Sequence, residues 1–218
     1  MMEDTYITIS EPAHGEFKDK GSKFLAYVYN FNHEDELNNL MAELKIKHPK
    51  ARHYCYAYKI GTDNNRFRIN DDGEPSGTAG KPIYGQILSH QLTNVVIIVI
   101  RYFGGVKLGA SGLIHAYREA SREALSNAST LEKYLYRSYV LSFGYDHMGH
   151  ILNVLKELDI QITHKSFNND CLVHIDLRLS QESNLLRLFK AKVLDKSPDE
   201  IKEDTEFPFC KLDVLELH

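Results

Sequence analysis

The sequence predicts a two-domain α+β protein: a mixed sheet-and-helix domain over residues 1–132, then a ferredoxin-like βαββαβ domain over 133–218. Three observations predict it. The 218 residues exceed one small domain of about 100 to 150 residues and fall short of three. Apolar residues make up 43% and charged residues 26%, a globular balance that lets each half bury its own core. The apolar spacing alternates between the two-residue period of strands and the three-to-four-residue period of helices.

Residues 16–31 set Phe17, Phe24, Ala26, Val28 and Phe31 in partial alternation around Gly21-Ser22, which reads as a strand or hairpin. Over 33–47, Leu37, Leu40, Met41, Leu44 and Ile46 mostly fall at helical spacing, and Pro49 ends this amphipathic helix. Residues 51–60 are rich in aromatic side chains that suit a pleated surface, and a strand there puts His53 and Cys55 on one face. The stretch 61–81 has almost no apolar residue but carries Asp63, Asp71, Asp72, Glu74 and glycines, so it reads as a long surface loop without a core element. Loops of that length are usually functional or disordered. Residues 95–100 are a continuous β-branched run, as in a strand covered on both faces.

A glycine turn over 104–109 then leads into a helix in which Leu113, Ala116, Tyr117, Ala120 and Ala124 repeat at spacings of three and four. The remainder reads as strand 137–145, helix 147–158, strands 160–167 and 171–179 around Asn168-Asn169-Asp170, helix 181–193, and a last strand within 205–217. That order is the split pattern of ferredoxin-like domains.

Composition excludes several function classes. No stretch approaches the roughly 18 consecutive apolar residues of a membrane span, and Met1-Met2-Glu3-Asp4 lacks the regions of a secretory signal, so a cytoplasmic location is expected. Cys55, Cys171 and Cys210 have no paired spacing and read as buried thiols. Residues up to 132 hold 15 basic and 16 acidic side chains and the rest hold 11 and 14, leaving net charges of −1 and −3. Neither half is a basic domain built for nonspecific duplex binding, which draws on many Lys and Arg contacts to phosphates.

Two segments concentrate glycine and charge: residues 71–82, Asp-Asp-Gly-Glu-Pro-Ser-Gly-Thr-Ala-Gly-Lys-Pro, and residues 101–109, Arg-Tyr-Phe-Gly-Gly-Val-Lys-Leu-Gly. A helix beginning near Ala110 presents free N–H groups that Ser111 can cap, while Lys107 and Arg101 add positive charge, the physics of an anion site. The plain alternative is that the glycines only permit a tight strand-to-helix turn and both cations are solvated. Neither segment is a Walker motif, since Ala110 stands where the phosphate-binding lysine belongs and Pro82 where Ser or Thr belongs.

Asp71, Asp72 and Glu74 can hold Mg2+ through carboxylate oxygens, or act as acid and base with Ser76 or Thr78 as nucleophile and His53 as base. His53 and Cys55 can also form a nucleophilic or ligating pair, although a packed Cys beside a polar His is the simpler reading. His147, His150, His164 and His174 are scattered and read as ordinary residues.

The two segments together closely resemble the signature of the YigZ/IMPACT family, in which a Gly-Glu-Pro-Ser-Gly-Thr-Ala-Gly stretch precedes an Arg-Tyr-Phe-Gly-Gly strand end. The resemblance covers about residues 16–127. It implies that the first domain is an α/β sandwich like the second domain of a small-subunit ribosomal protein, and that the tail domain is like the last domain of elongation factor G. Eukaryotic members restrain a starvation-activated translation kinase by competing for its activator, which implies a regulatory binding role. Some relatives carry peptidase labels, but the chain has no His-Glu-x-x-His segment. Ile100, Ser111 and His115 stand where the family has Thr, Gly and Arg, and Arg118, three residues on along the same helical face, can substitute for the last.

The expected function is therefore regulatory binding linked to translation, without a cofactor or catalytic metal. The partner is RNA or the ribosome, or a translation-associated protein met by Tyr102 and Phe103. The expected binding residues are Arg52, His53, Asp71, Asp72, Glu74, Ser76, Thr78, Lys81, Arg101, Lys107, Ser111, His115 and Arg118. The alternative is a small-molecule or peptide hydrolase in which Asp72, Glu74 and Ser76 work with His53.

Overall fold

A computed structural model describes residues 4–63, 65–168, 170–202 and 205–217. Met1 to Glu3 and Asn169, used above in the leader and turn readings, lie outside the described residues. The chain divides into two units, Tyr6–Lys133, and Tyr134–His218 together with Met1–Thr5. No helix among the described residues is long and apolar enough to cross a membrane.

The unit Tyr6–Lys133 runs β1 (Thr5–Ile9), β2 (Ala13–Asp19), β3 (Ser22–Asn30), α1 (Glu36–Lys47), β4 (His53–Ile60), β5 (Arg66–Asn70), α2 (Gly80–Ser89), β6 (Val95–Tyr102), α3 (Gly109–Ser126) and β7 (Thr130–Tyr134). Five strands form one antiparallel sheet in the order β2-β3-β6-β4-β5, and β1 pairs with β7. The β-branched run in β6 is central and buried on both faces, as its lack of alternation requires. Val95, Ile97 and Val99 join Phe24, Ala26, Cys55 and Ala57 in a core closed by Ile83 and Ile87 of α2 and by Leu113, Ala116 and Tyr117 of α3. Val96, Ile98 and Ile100 join Tyr54, Tyr56 and Tyr58 in a second core that includes Leu44 of α1. Each such aliphatic side chain contributes about 1.5–3 kcal/mol when fully buried.

The stretch 61–81 departs from its expected reading. It contains β5, pairing with β4 from Tyr56↔Asn70 to Ile60↔Arg66, and it ends inside α2 with Ala79 fully buried in the core. An edge strand needs little apolar content because the ladder itself holds it, so Arg66 and Arg68 conceal it from a hydrophobic pattern. Helix α2 was also hidden, because Gly80 and Pro82 read as breakers although Pro is tolerated in a first helical turn. Ile46, counted with the apolar stripe of α1, is exposed.

The other unit runs β8 (Tyr136–Phe143), α4 (Met148–Glu157), β9 (Gln161–Phe167), β10 (Cys171–Arg178), α5 (Glu182–Val193) and β11 (Cys210–Leu217). Its sheet order β11-β8-β10-β9 is antiparallel throughout, the arrangement of a ferredoxin-like domain. Tyr139, Leu141, Phe143, Val173, Ile175 and Phe189 centre its core. All three cysteines are buried free thiols.

Candidate functional site

The first motif winds around one carboxylate. Strand β5 stops at Asn70, whose Oδ1 accepts the Asp72 N–H at 2.7 Å, and Asp72 (φ 41°) and Gly73 (φ 83°) turn the chain through left-handed backbone. The Asp71 carboxylate then accepts N–H groups from Gly77 (2.8 Å), Ala79 (3.0 Å) and Gly80 (2.8 Å), so the loop closes on it and α2 starts there. Burial raises the pKa of Asp71, but the three backbone donors, aided by Lys81, outweigh it and hold the carboxyl below the usual range. Asp72 Oδ2 accepts the Tyr54 N–H at 2.6 Å. The Asp72 carbonyl accepts from His53 Nδ1 at 2.8 Å, and because a carbonyl only accepts, that nitrogen carries the proton.

Glu74 joins the two motifs. Its Oε1 accepts from Arg101 Nη1 at 2.6 Å and from the Tyr117 hydroxyl at 2.9 Å, with the Glu74 and Arg101 side chains only 4% and 7% exposed. The Arg101 guanidinium lies 5.4 Å from the Phe24 ring centroid and 5.5 Å from that of Phe103. Cys55 Sγ lies 3.0 Å from the Asp71 carbonyl oxygen and 3.3 Å from the Tyr117 hydroxyl. Burial pushes the Cys55 thiol and the Tyr117 phenol far up, so neither is an ionised nucleophile at neutral pH.

The remaining expected residues divide by exposure. Thr78 is buried, its Oγ1 donating to the Pro75 carbonyl at 2.6 Å. Arg52, Ser76, Lys81, Lys107, Ser111, His115 and Arg118 are exposed. Helix α3 starts at Gly109 with Leu108 as its first boundary residue and no side-chain cap, so Ser111 falls within the first turn. His115 packs edge-on against Phe17, with ring centroids 5.5 Å apart. Lys81 of α2 and Arg118 of α3 both line a groove between these helices whose lining includes Gly77, Pro82, Gly85 and Ile114.

The structure thus gathers His53, Asp71, Asp72, Glu74 and Arg101 at one end of β4, β5 and β6, and leaves Lys107 on the loop before α3. Among the described residues no three His, Cys, Asp or Glu side chains are grouped to hold a metal. Tyr117 and Cys55 pack beneath this set; from the sequence Tyr117 is expected only on the apolar stripe of a helix, and Cys55 either as a packed thiol or as a partner of His53. The available signal was the hydroxyl of a tyrosine on the apolar stripe of α3, which must find a partner once buried. Gly85 was also missed, because α2 was.

The profile of the Impact N-terminal domain matches residues 20–125. The IMPACT family member YvyE of Bacillus subtilis (strain 168) is 37% identical over 153 residues, 70% of each chain. The IMPACT family member YigZ of Escherichia coli (strain K12) is 31% identical over 180 residues, 82% of this chain and 86% of its own. A solved structure described as a hypothetical protein covers 99% of both chains at 26% identity, with a TM-score of 0.73. That likeness extends through both units, and with sequence identity of this extent alongside the matched domain, the chain belongs to the IMPACT family.

Proposed function

We propose that this chain is a regulatory binding protein linked to translation, engaging a partner on the translation machinery rather than turning over a substrate. The observation that carries this is the buried Glu74–Arg101–Tyr117 contact set. Glu74 is occupied by Arg101 and Tyr117, and Asp71 and Asp72 accept backbone N–H groups, so these side chains form a structural platform in which, among the described residues, Arg101 Nε alone is buried without a hydrogen-bond partner. The exposed charges around them are the cations Arg52, Lys81, Lys107 and Arg118, together with Asp72. The family resemblance supplies the link to translation. The hydrolase alternative needs Asp72, Glu74 and Ser76 to face a substrate beside His53, whereas Glu74 is ion-paired in the interior and Asp72 is held by the Tyr54 N–H.

Arg101 is buried in the ion pair with Glu74. Its substitution disturbs the platform, so the partner-facing residues to alter are Lys81, Lys107 and Arg118. Purified protein is sedimented with ribosomes and with total RNA across a salt series, next to the triple alanine variant. Association that weakens with salt and with the substitutions supports the reading. No association of the wild-type protein with ribosomes, RNA or translation factors at low salt ends it.

A further inference from the structure

Gly85 lies in the interior of α2, where glycine weakens a helix relative to alanine and calls for a reason. The usual reason is a close neighbour that a side chain would strike, as at Gly80, where a Cβ would lie 2.8 Å from the Asn70 nitrogen. At Gly85 an added Cβ meets nothing within 4 Å. The bare backbone faces the groove between α2 and α3. Lys81 stands one turn earlier on the same helical face, and Arg118 and Ile114 come from α3. Among the described residues neither Lys81 nor Arg118 is in an ion pair, whereas neighbouring Arg122 is held by Glu119 at 2.7 Å. The groove is shallow and open to solvent, with a volume of about 420 Å³.

We infer that the α2–α3 groove binds an acidic peptide segment of a protein partner, with a carboxylate between Lys81 and Arg118 and an aliphatic side chain against Ile114, Pro82 and the uncovered backbone of Gly85. Two cations form a clamp and not the continuous track that a nucleic acid needs for strong binding. Among the described residues that line the groove there is no aromatic ring on which a base can stack. A carboxylate beside a small apolar group matches what is present: two opposing cations, an apolar floor and room for close approach to a main chain.

This rests on the regulatory binding reading and names the surface and the chemistry of its partner. The test follows amide signals of the full chain by NMR while adding a short peptide of repeating Glu-Leu-Ser. The same peptide with Gln for Glu and a short single-stranded RNA serve as comparisons. The acidic peptide is expected to shift the signals of Gly77, Gly85, Gln86 and Arg118, and the Gln peptide to shift them little. Lys81→Ala/Arg118→Ala is expected to weaken binding about tenfold or more.

Gly85→Ala is the discriminating variant: it raises the thermal midpoint, because nothing crowds the new methyl group, while binding falls. Unchanged peptide binding in Gly85→Ala and in the double variant overturns the inference, as does RNA shifting these signals where the acidic peptide does not. Ribosome or factor association that persists undiminished in Lys81→Ala/Arg118→Ala overturns the groove alone and leaves the regulatory reading standing. That reading fails separately, on the wild-type sedimentation.

Discussion

A carboxylate and a guanidinium buried together each lose several kcal/mol of hydration, and Glu74 and Arg101 offset part of that loss through one short charge-assisted bond and the Tyr117 hydroxyl, while Arg101 Nε has no hydrogen-bond partner among the described residues. Removing one partner strands the other. Arg101→Ala is therefore expected to lower the unfolding free energy by about 3–5 kcal/mol, and Glu74→Leu/Arg101→Met by less than the two single losses combined, as read by urea denaturation. Asp71 makes a second prediction, with a defined sign. Its folded pKa lies below its unfolded value, so its contribution is fully present above the ordinary aspartate range and disappears as pH falls through the depressed folded value. The urea midpoint should fall over that acid window, and Asp71→Asn should flatten its Asp71-dependent part. Both acids were visible in the sequence as functional candidates. Their occupation by Arg101 and by the N–H groups of residues 77, 79 and 80 was not, because the pair spans 27 positions and only the folded sheet brings the two segments together.

At the scale of elements, the β2–β3 hairpin tip meets the loop before α3. A Cβ on Gly104 would lie 1.9 Å from the Gly21 carbonyl carbon and 2.2 Å from the Ser22 nitrogen, and the Gly104 N–H donates to Ser22 Oγ at 3.1 Å. Gly104→Ala must displace backbone on both sides. Its expected cost is about 1–3 kcal/mol or more, with faster amide exchange at the tips of β2 and β3; unchanged stability would mean that this approach is not needed. The glycine run was legible as more than a simple turn, but a turn and a close approach of two backbones share one residue type. Elements with a strong period, β6, α3 and the βαββαβ set, were readable from spacing. β5 and α2 were not, since one is an edge held by its ladder and the other opens on Gly80 and Pro82.

On the scale of the whole molecule, the unit containing β8–β11 draws on the chain's N-terminal end. The Asp4 carboxylate accepts from Arg178 Nε at 2.5 Å and Nη2 at 3.1 Å, and its carbonyl accepts the Leu135 N–H at 2.7 Å. The guanidinium of Arg178 holds the Asp4 carboxyl well below the usual range, and the Tyr134 ring lies 3.6 Å from that same group. Asp4→Ala is expected to speed amide exchange in β8, β10 and β11 while leaving β3, β4 and β6 unchanged, because each unit has its own core. Equal acceleration in both sheets would mean that the two units unfold as one.

By itself the sequence determined the class of fold, the order of its strongly periodic elements, the buried cysteines and the pair of motifs that carries the family resemblance, because periodicity and motif are local properties of the chain. The tertiary structure alone decided which charges remain outward. Arg101 and Glu74 neutralise each other in the interior, Asp71 and Asp72 accept from backbone donors, and Lys81 and Arg118 line one groove together with Gly85. Whether a charge meets water or a counter-charge depends on which distant segments a sheet aligns, and no spacing along the chain encodes that distance.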